Sequence, residues 1–420
     1  MLITCTGWVR ATDKLEGIGG MAEADRTTSP INTLIEVAQD PDGYIARWKD
    51  TTGRKVIGAL PMNFPAEIAH AAGALSVVIQ EDREPITLGR NLLTEYNCGY
   101  SKNLADKAAT GRLALYDGFF LADHCVQLLG ALDVVREEVP EKPAYFGQLI
   151  SSLSDSWTFD QVRLRMVDFR QALGDFTGNP ISDDDLSRSI ALFNTNARML
   201  QQIFSERREG NATFTSTQIQ AIVKSSMIMD KEDHSTLLSM VLANSGFVAR
   251  DDRIRLHLSG HFCHAPKPEL LELIEDCGAV IVDDDLYHGT RYAPTTVSED
   301  GDPLSALASA YLERNVAVPC PTVAQHDVDW DGYLLKAIED SSAEGAIVLM
   351  AKYCEPHMLY YPELRKALNA RGIPHLLIET EHEGMPFETF RTRVEAMLER
   401  IRHNQLVGLR SRSVNSDRDR

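Results

Sequence analysis

KVIGALPMNFPAEIAHAAGALSVVI, residues 55–79, reads as strand, helix, strand. KVIGAL is a short apolar run of the kind that fills a buried strand. Pro65 stands at a helix start, where its missing N–H is no loss, and LSVVI (75–79) is the next apolar run after Gly73-Ala74. The same plan recurs in IRLHLSGHFCHAPKPELLELIEDCGAVIVDD, residues 254–284, where a strand and a helix lead to Gly278-Ala279 and a second strand. Outward from these cores, YDGFFLA (116–122) and PAYFGQLI (143–150) add strands to the first copy, and GAIVLMA (345–351) and PHLLIE (374–379) to the second. Strands that alternate with helices specify a parallel sheet covered on both faces.

The two copies align further along. Asp117-Gly118 precedes a strand that ends in Asp123-His124-Cys125, and Glu344-Gly345 precedes one that ends in Lys352-Tyr353-Cys354. Cys125 and Cys354 therefore fall at equivalent points, just past the carboxyl end of a parallel strand, where open α/β sheets put their ligands. Between the copies, residues 155–247 carry helical patterns and no strand, and PISDDDL (180–186) is a helix start with a capping Ser182 and acids in the first turn. Residues 31–52 read as helix, 386–402 as a last amphipathic helix, and GLRSRSVNSDRDR as a frayed tail. The fold class expected is α/β: two similar Rossmann- or flavodoxin-like parallel-sheet domains, a helical segment between them and an N-terminal helical arm. The divisions are arm and helix 1–52, first α/β domain 53–152, helical segment 153–250, second α/β domain 251–404 and tail 405–420.

Charge narrows the function. With 42 Lys+Arg against 61 Asp+Glu, the net charge of −19 repels phosphate backbones, so no nucleic-acid partner is expected. No apolar stretch approaches the ~18 residues of a membrane span. MLITCTGWVR lacks the apolar run and cleavage site of a secretory leader, which points to the cytoplasm. Seven cysteines in that compartment stay reduced, and the odd count argues against a disulfide framework. There is no Walker A loop and no G-x-G-x-x-G between a strand and a helix; the Gly17/Gly19/Gly20 cluster follows no strand. If ATP matters, another chain hydrolyses it.

No C-x-x-C pair occurs, so zinc ribbons and ferredoxin runs are absent. A lone cysteine is more often a small core residue than a ligand. That reading suits Cys5, Cys277 and Cys320. Cys98 in YNCGYS, Cys125 in ADHCVQ and Cys354 in KYCEPH sit in polar turns, with Gly99 and Pro356 allowing tight backbone, and are candidates for a shared metal site. His257, His261, Cys263 and His264 form a weaker metal patch, crowded after one strand; loop packing or substrate contact is the competing account. Glu67, in the first turn of a helix, either complements the helix dipole or transfers a proton. Asp283, Asp284 and Asp285, with Arg291, either line a mouth or form a solvated acidic turn.

At these residues the chain resembles the 2-hydroxyacyl-CoA dehydratase / benzoyl-CoA reductase family, from about residue 43 to 402. The marks are KVIGALPMNFPAEIAHAAGALSV, NCGYSKN, DGFFLADHC, LSGHFCHAPKPELLELIEDCGAVIVDDDLYHGTRY, DPLSALASAYL and EGAIVLMAKYCEPHMLYYPELRKALNARGIPHLLIE, taken in order. The long N-terminal arm departs from the family. The resemblance implies that Cys98, Cys125 and Cys354 hold one [4Fe-4S] cluster between the two α/β domains. It implies an acyl-CoA substrate, a sister iron–sulfur subunit of related fold, and an ATP-hydrolysing activator with its own cluster, fed by ferredoxin. The chemistry is either dearomatising reduction of a benzoyl-CoA-type ring or dehydration of a 2-hydroxyacyl-CoA. The segment around Cys263 looks most like the C-type subunit of benzoyl-CoA reductases. Glu67 is the candidate proton donor, and Arg291 and Lys102 are the cations offered to the CoA phosphates. The reading from another class is a non-redox, two-lobed α/β binding protein whose cysteines only pack.

Overall fold

A computed structural model describes residues 29–122, 125–210, 213–244 and 252–416. The expected arm before residue 29, with Cys5 and the early glycine cluster, lies outside the described residues, as do Asp123 and His124.

The chain opens with α1 (Pro30–Gln39) and α2 (Pro41–Thr52). The single helix expected over 31–52 is split because Pro41 has no N–H to continue α1, while the Asp40 side chain accepts from Gly43 N at 3.0 Å and starts α2. The first α/β domain follows: β1 (Val56–Ala59), α3 (Ala66–Ala71), β2 (Leu75–Val78), α4 (Gly89–Leu92), α5 (Gly99–Ala109), β3 (Gly118–Leu121), α6 (Val126–Glu138) and β4 (Ala144–Phe146). Then come α7 (Thr158–Thr177), α8 (Asp183–Glu209), α9 (Ser216–Ser226) and α10 (Lys231–Ala243), with no named strand among them. The second domain is β5 (Ile254–Gly260), α11 (Pro268–Asp276), β6 (Ala279–Asp284), α12 (Pro303–Ala317), α13 (Trp330–Asp340), β7 (Gly345–Ala351), α14 (Glu355–Ala370), β8 (His375–Thr380) and α15 (Phe387–Ser416). The last helix was expected to end near 402; with no proline to stop it, it runs on to Ser416.

Each domain has one four-stranded sheet, ordered β2-β1-β3-β4 and β6-β5-β7-β8. Every pairing is parallel. The orders are the same when β1 is set on β5, so the repeat read from the sequence is a repeat of topology. Both faces of each sheet are covered, as the continuous burial of β5, β6 and β7 requires. One shared core runs from Leu34 and Trp48 through Phe119 and Leu128 to Trp330 and Leu364. A second lies between the other face of the first sheet and α3, α7, α8 and α12. A third sits between β5–β8, α11 and α15.

The helical segment is fixed to both sheets. Ser182 closes a capping box with Asp185 at the start of α8, which contributes about 1 kcal/mol. Ser189 on α8 donates to the Glu67 carbonyl at 2.8 Å. At its far end α8 carries Arg207 and Arg208, which pair with Asp284 and Asp283 at the end of β6.

Candidate functional site

The turns at the carboxyl ends of the two sheets meet. Met62 and Asn63 after β1, His261 after β5 and Tyr353 after β7 all hold positive φ, between 44° and 75°. Such strain in non-glycine residues persists only where the surroundings over-determine it, and it gathers at functional sites. Gly260, at φ +105°, ends β5 with no room for a side chain: a Cβ there would stand 2.1 Å from the Leu349 carbonyl oxygen.

Each of the three candidate cysteines is the residue just before a helix. Cys98 precedes α5, Cys125 precedes α6 after β3, and Cys354 precedes α14 after β7. A helix N-terminus favours negative charge and so favours a thiolate. One side chain joins the three turns. Gln127, buried on α6 two residues past Cys125, accepts from the Cys98 backbone N–H at 2.7 Å and donates to the Tyr353 carbonyl. Gln127 is not among the candidates picked out from the sequence; its only signal there is a polar residue just inside the helix that follows a candidate cysteine.

The thiols lie close enough to act on one another. Burial, then the fields of Cys125, Cys354, Cys98 and Cys320, push the Cys263 thiol far above its ordinary range. Burial, with Cys98, Cys125 and Cys320 nearby, pushes Cys354 up as well. Cys98 goes the other way: burial would raise it, but hydrogen bonds and charge from His264, with help from Ser101, hold it below the ordinary thiol value. Cys320, read from the sequence as packing, belongs to this neighbourhood, its Sγ 3.0 Å from Thr322 Oγ1.

The histidine patch does not close on one point. His261 Nε2 is 2.6 Å from Thr380 Oγ1, Cys263 Sγ is 3.5 Å from Met62 Sδ, and His264 Nδ1 is 3.1 Å from Glu81 Oε2. His257 is fully buried beside Asp283, at 3.6 Å. Among the described residues no three His, Cys, Asp or Glu side chains converge to hold a single metal ion. An iron–sulfur cluster is a body with several irons, so its thiolates need not converge on one point. The three cysteine turns supply the soft donors, the helix ends and the low-polarity surroundings that such a cluster takes.

Glu67 is in the first turn of α3, as expected, and lines a cavity of about 150 Å³ with Phe64, Phe193, Lys231, Tyr292 and Arg314. Burial raises its carboxyl above the usual range, against the opposing pull of its own backbone N–H, Lys231 and Arg314. No cysteine lines that cavity; it shares Asn63, Tyr311 and Arg314 with the adjoining hollow that reaches Cys320.

Two expectations are overturned. The Asp283–Asp285 run is neither a mouth nor a solvated turn. All three are buried. Asp285 accepts from Ser259 Oγ, Gly260 N and Trp330 Nε1 at 2.6–2.7 Å. Arg291 is also buried, and donates to the carbonyls of Asp285, Val318 and Pro319; it is committed to the fold and is not offered to a phosphate. Lys102 donates to the Glu95 carbonyl at 2.5 Å and lies over the Tyr353 ring.

The family described as 2-hydroxyglutaryl-CoA dehydratase, D-component, matches residues 61–401. The C-type subunit of the benzoyl-CoA reductase of Thauera aromatica is 26% identical over 347 residues, 80% of this chain and 89% of that protein. The (R)-phenyllactyl-CoA dehydratase beta subunit of Clostridium sporogenes is 22% identical over 382 residues, 88% and 98% of the two chains. The beta subunit of the (R)-2-hydroxyglutaryl-CoA dehydratase of Acidaminococcus fermentans is 24% identical over 395 residues, 88% of this chain and 100% of that one. Among the described residues no helix is long and apolar enough to cross a membrane.

Proposed function

From the premise that the chain belongs to the 2-hydroxyglutaryl-CoA dehydratase D-component family, we propose that it is the [4Fe-4S]-carrying subunit of an oxygen-sensitive enzyme acting on acyl-CoA thioesters. Cys98, Cys125 and Cys354 hold the cluster. The observation that carries this reading is that Gln127 ties three cysteine-bearing helix starts together across the two domains. The reaction we favour is reduction of an aromatic acyl-CoA of the benzoyl type. Dehydration of a 2-hydroxyacyl-CoA is the second reading, favoured by the dehydratase beta subunits among the relatives.

A cluster so held supplies a one-electron store of low potential. The protein's own residues do the rest. The helix starts at Cys98, Cys125 and Cys354 stabilise thiolate charge. Glu67, whose carboxyl burial raises above its usual range, is the candidate proton donor at the edge of a small cavity with aromatic walls. That cavity, about 150 Å³, has a mixed lining of aromatic, amide and charged side chains and room for one six-membered ring. Phe64, Phe193 and Tyr292 give it aromatic walls, and Lys231, its ammonium held by Ser226 and Tyr292, keeps positive charge near Glu67. A proton donor beside a ring-sized space suits an aryl thioester. The electron comes from an ATP-hydrolysing activator with its own cluster, reduced by ferredoxin, and a sister subunit of related fold completes the enzyme.

The test is iron and acid-labile sulfide content, with EPR, on protein purified without oxygen together with its sister subunit. We expect about four irons and four sulfides per chain, lost in each of Cys98→Ser, Cys125→Ser and Cys354→Ser. Full iron in all three variants overturns the proposal. Turnover of benzoyl-CoA against a 2-hydroxyacyl-CoA by the loaded complex then separates the two chemistries.

A further inference from the structure

Two buried arginines are treated differently by the fold. Arg207 pairs with Asp284. Arg291, only 3% exposed, has no carboxylate partner among the described residues. Its Nε and Nη1 donate to the carbonyls of Asp285, Val318 and Pro319, and its Nη2 is buried with no hydrogen-bond partner. The Asp285 carboxylate is taken by Ser259, Gly260 and Trp330. Arg314 stands beside Arg291. Its Nη2 donates to the carbonyls of Arg291 at 2.9 Å and Tyr292 at 3.4 Å, and it too lacks a carboxylate partner among the described residues. Both guanidinium side chains line one hollow of about 20 Å³, together with Asn63, Tyr311 and Asn315, and no lining residue is acidic. The adjoining cavity adds one carboxyl, Glu67, and one ammonium, Lys231, so the two arginines remain in excess. A guanidinium does not shed its proton, so burial leaves it in need of a counter-charge. In a chain of 61 acids against 42 bases, this hollow has been left without one.

We propose that Arg291 and Arg314 form a carboxylate-binding site at the edge of the Glu67 cavity, and that the acyl group accepted there carries a carboxylate of its own. The second half rests on the reading of that cavity as the acyl site. The hollow and the cavity share Asn63, Tyr311 and Arg314, so a substituent that leaves the ring space along this edge meets Arg314. A planar carboxylate matches the fork of a guanidinium. A hollow of about 20 Å³ has the room of a single water, so it admits one carboxylate oxygen while the other stays at the shared edge. A water in that place would complete a hydrogen bond and leave the charge unmet.

The experiment is isothermal titration calorimetry of the anaerobic complex with three free acids, isophthalate, glutarate and benzoate. Wild type is compared with Arg314→Gln, Arg314→Lys and Asn63→Asp, with iron measured on each sample. We expect isophthalate to bind about tenfold tighter than benzoate, the share of one charged hydrogen bond, and Arg314→Gln to abolish that margin. Arg314→Lys, which keeps the charge without the fork, should keep part of it. Asn63→Asp brings a competing carboxylate to the shared edge and should abolish the margin as well; it reads the site should Arg314→Gln not fold. A margin for glutarate and not for isophthalate places the carboxylate on an aliphatic chain. Equal affinity for all three acids in the wild type overturns the site, as does a margin that survives in both Arg314→Gln and Asn63→Asp. The acyl half is read by turnover in the loaded complex. There, meta-carboxybenzoyl-CoA (or glutaryl-CoA, if glutarate is the acid preferred) should show a KM about tenfold below that of benzoyl-CoA. A margin among the free acids with none between the thioesters overturns the assignment to the acyl group. A wild type without iron removes the cluster reading and leaves the free-acid margin, which needs no cluster, as the measure of the site.

Discussion

Just after β2 the first domain places Gln80 and Glu81; at the end of β6, the matching strand of the same topology, the second places Asp283 and Asp284, with Asp285 next. The two sets of groups face opposite ways. Gln80 and Glu81 reach into the other domain, to His288, His264 and His382. The aspartates stay with their own domain and the helical segment, on Arg207, Arg208, Ser259, Gly260 and Trp330. One strand plan thus serves two ends: in the second domain the strand-end charges lock the frame, and in the first they meet the neighbour. The cysteines follow the same division. Cys125 and Cys354 are counterparts after β3 and β7, while Cys98 caps a crossover helix whose equivalents in the second domain, α12 and α13, begin after Asp302 and Asp329, with Cys320 in the loop between them. The third thiol is the departure from symmetry.

The largest effect that would break this comparison is on the locked side. Arg207 and Asp284 pair with side chains 4% and 5% exposed. Removal of one partner from a buried pair leaves an uncompensated charge at about 3–5 kcal/mol. Arg207→Ala should lower stability in urea unfolding by about that much. A loss below about 1 kcal/mol, the range of an exposed pair, would mean the aspartate run is not structural.

Next is the bolt between the domains. In Gln127→Ala the buried Cys98 N–H loses its acceptor, a loss of about 1–3 kcal/mol, and the Tyr353 carbonyl loses a donor. We expect a drop of about 2 kcal/mol in the same unfolding measurement, together with reduced iron retention. Gln127→Glu keeps the acceptor and loses the donor, and should fall between Ala and wild type. Equal iron in all three would show that the turns are positioned without the bolt.

The interface itself is tested by pH. His288 Nε2 lies 2.9 Å from Gln80 Oε1, and burial, with Lys224 adding to it, pushes the imidazole down to about 3. The folded protein therefore refuses a proton that the unfolded chain takes near 6.5. Stability from this group is present above that value and is lost as pH falls from about 6.5 toward 3. Between pH 7 and pH 5 the wild type should lose about 2 kcal/mol through His288, from about 1.5 pH units at 1.36 kcal/mol each. His288→Gln should lack that part of the slope, while urea midpoints at pH 7 change far less.

Much of this frame could be read from the chain, because apolar runs punctuated by Pro and Gly are local signals. Strand β5 lies at the limits its apolar run predicts, and the repeat predicted the matched positions of Cys125 and Cys354. Pairing is not local. Asp283–Asp285 looks the same in sequence whether solvated or buried, and only the approach of Arg207 and Arg208, some 75 residues earlier, decides it. Arg291 was offered to a phosphate for the same reason: its three carbonyl partners come from two turns, one of them 27–28 residues away. Glu81 and His382, 301 residues apart, each stand just beyond the carboxyl end of a strand. That rule found Cys125 and Cys354, and it would have found these two had it been applied to carboxylates and imidazoles as well.

The smallest expected effect sharpens the contrast from the first domain's side. Lys49 on α2 pairs with Asp117 before β3 at 2.6 Å, with side chains 32% and 29% exposed, and also donates to the Leu115 carbonyl at 3.0 Å. Asp117 keeps a second task, accepting from the Val56 N–H at 2.8 Å, so loss of the lysine does not strand it. A half-exposed pair of this kind is worth about 0–1 kcal/mol. Lys49→Met, which keeps the aliphatic stem over the core, should therefore change stability by less than about 1 kcal/mol, and the difference should shrink further in high salt. If Lys49→Met cost as much as Arg207→Ala, charge would lock both domains alike, and the contrast between a locked second domain and an outward-facing first one would be lost.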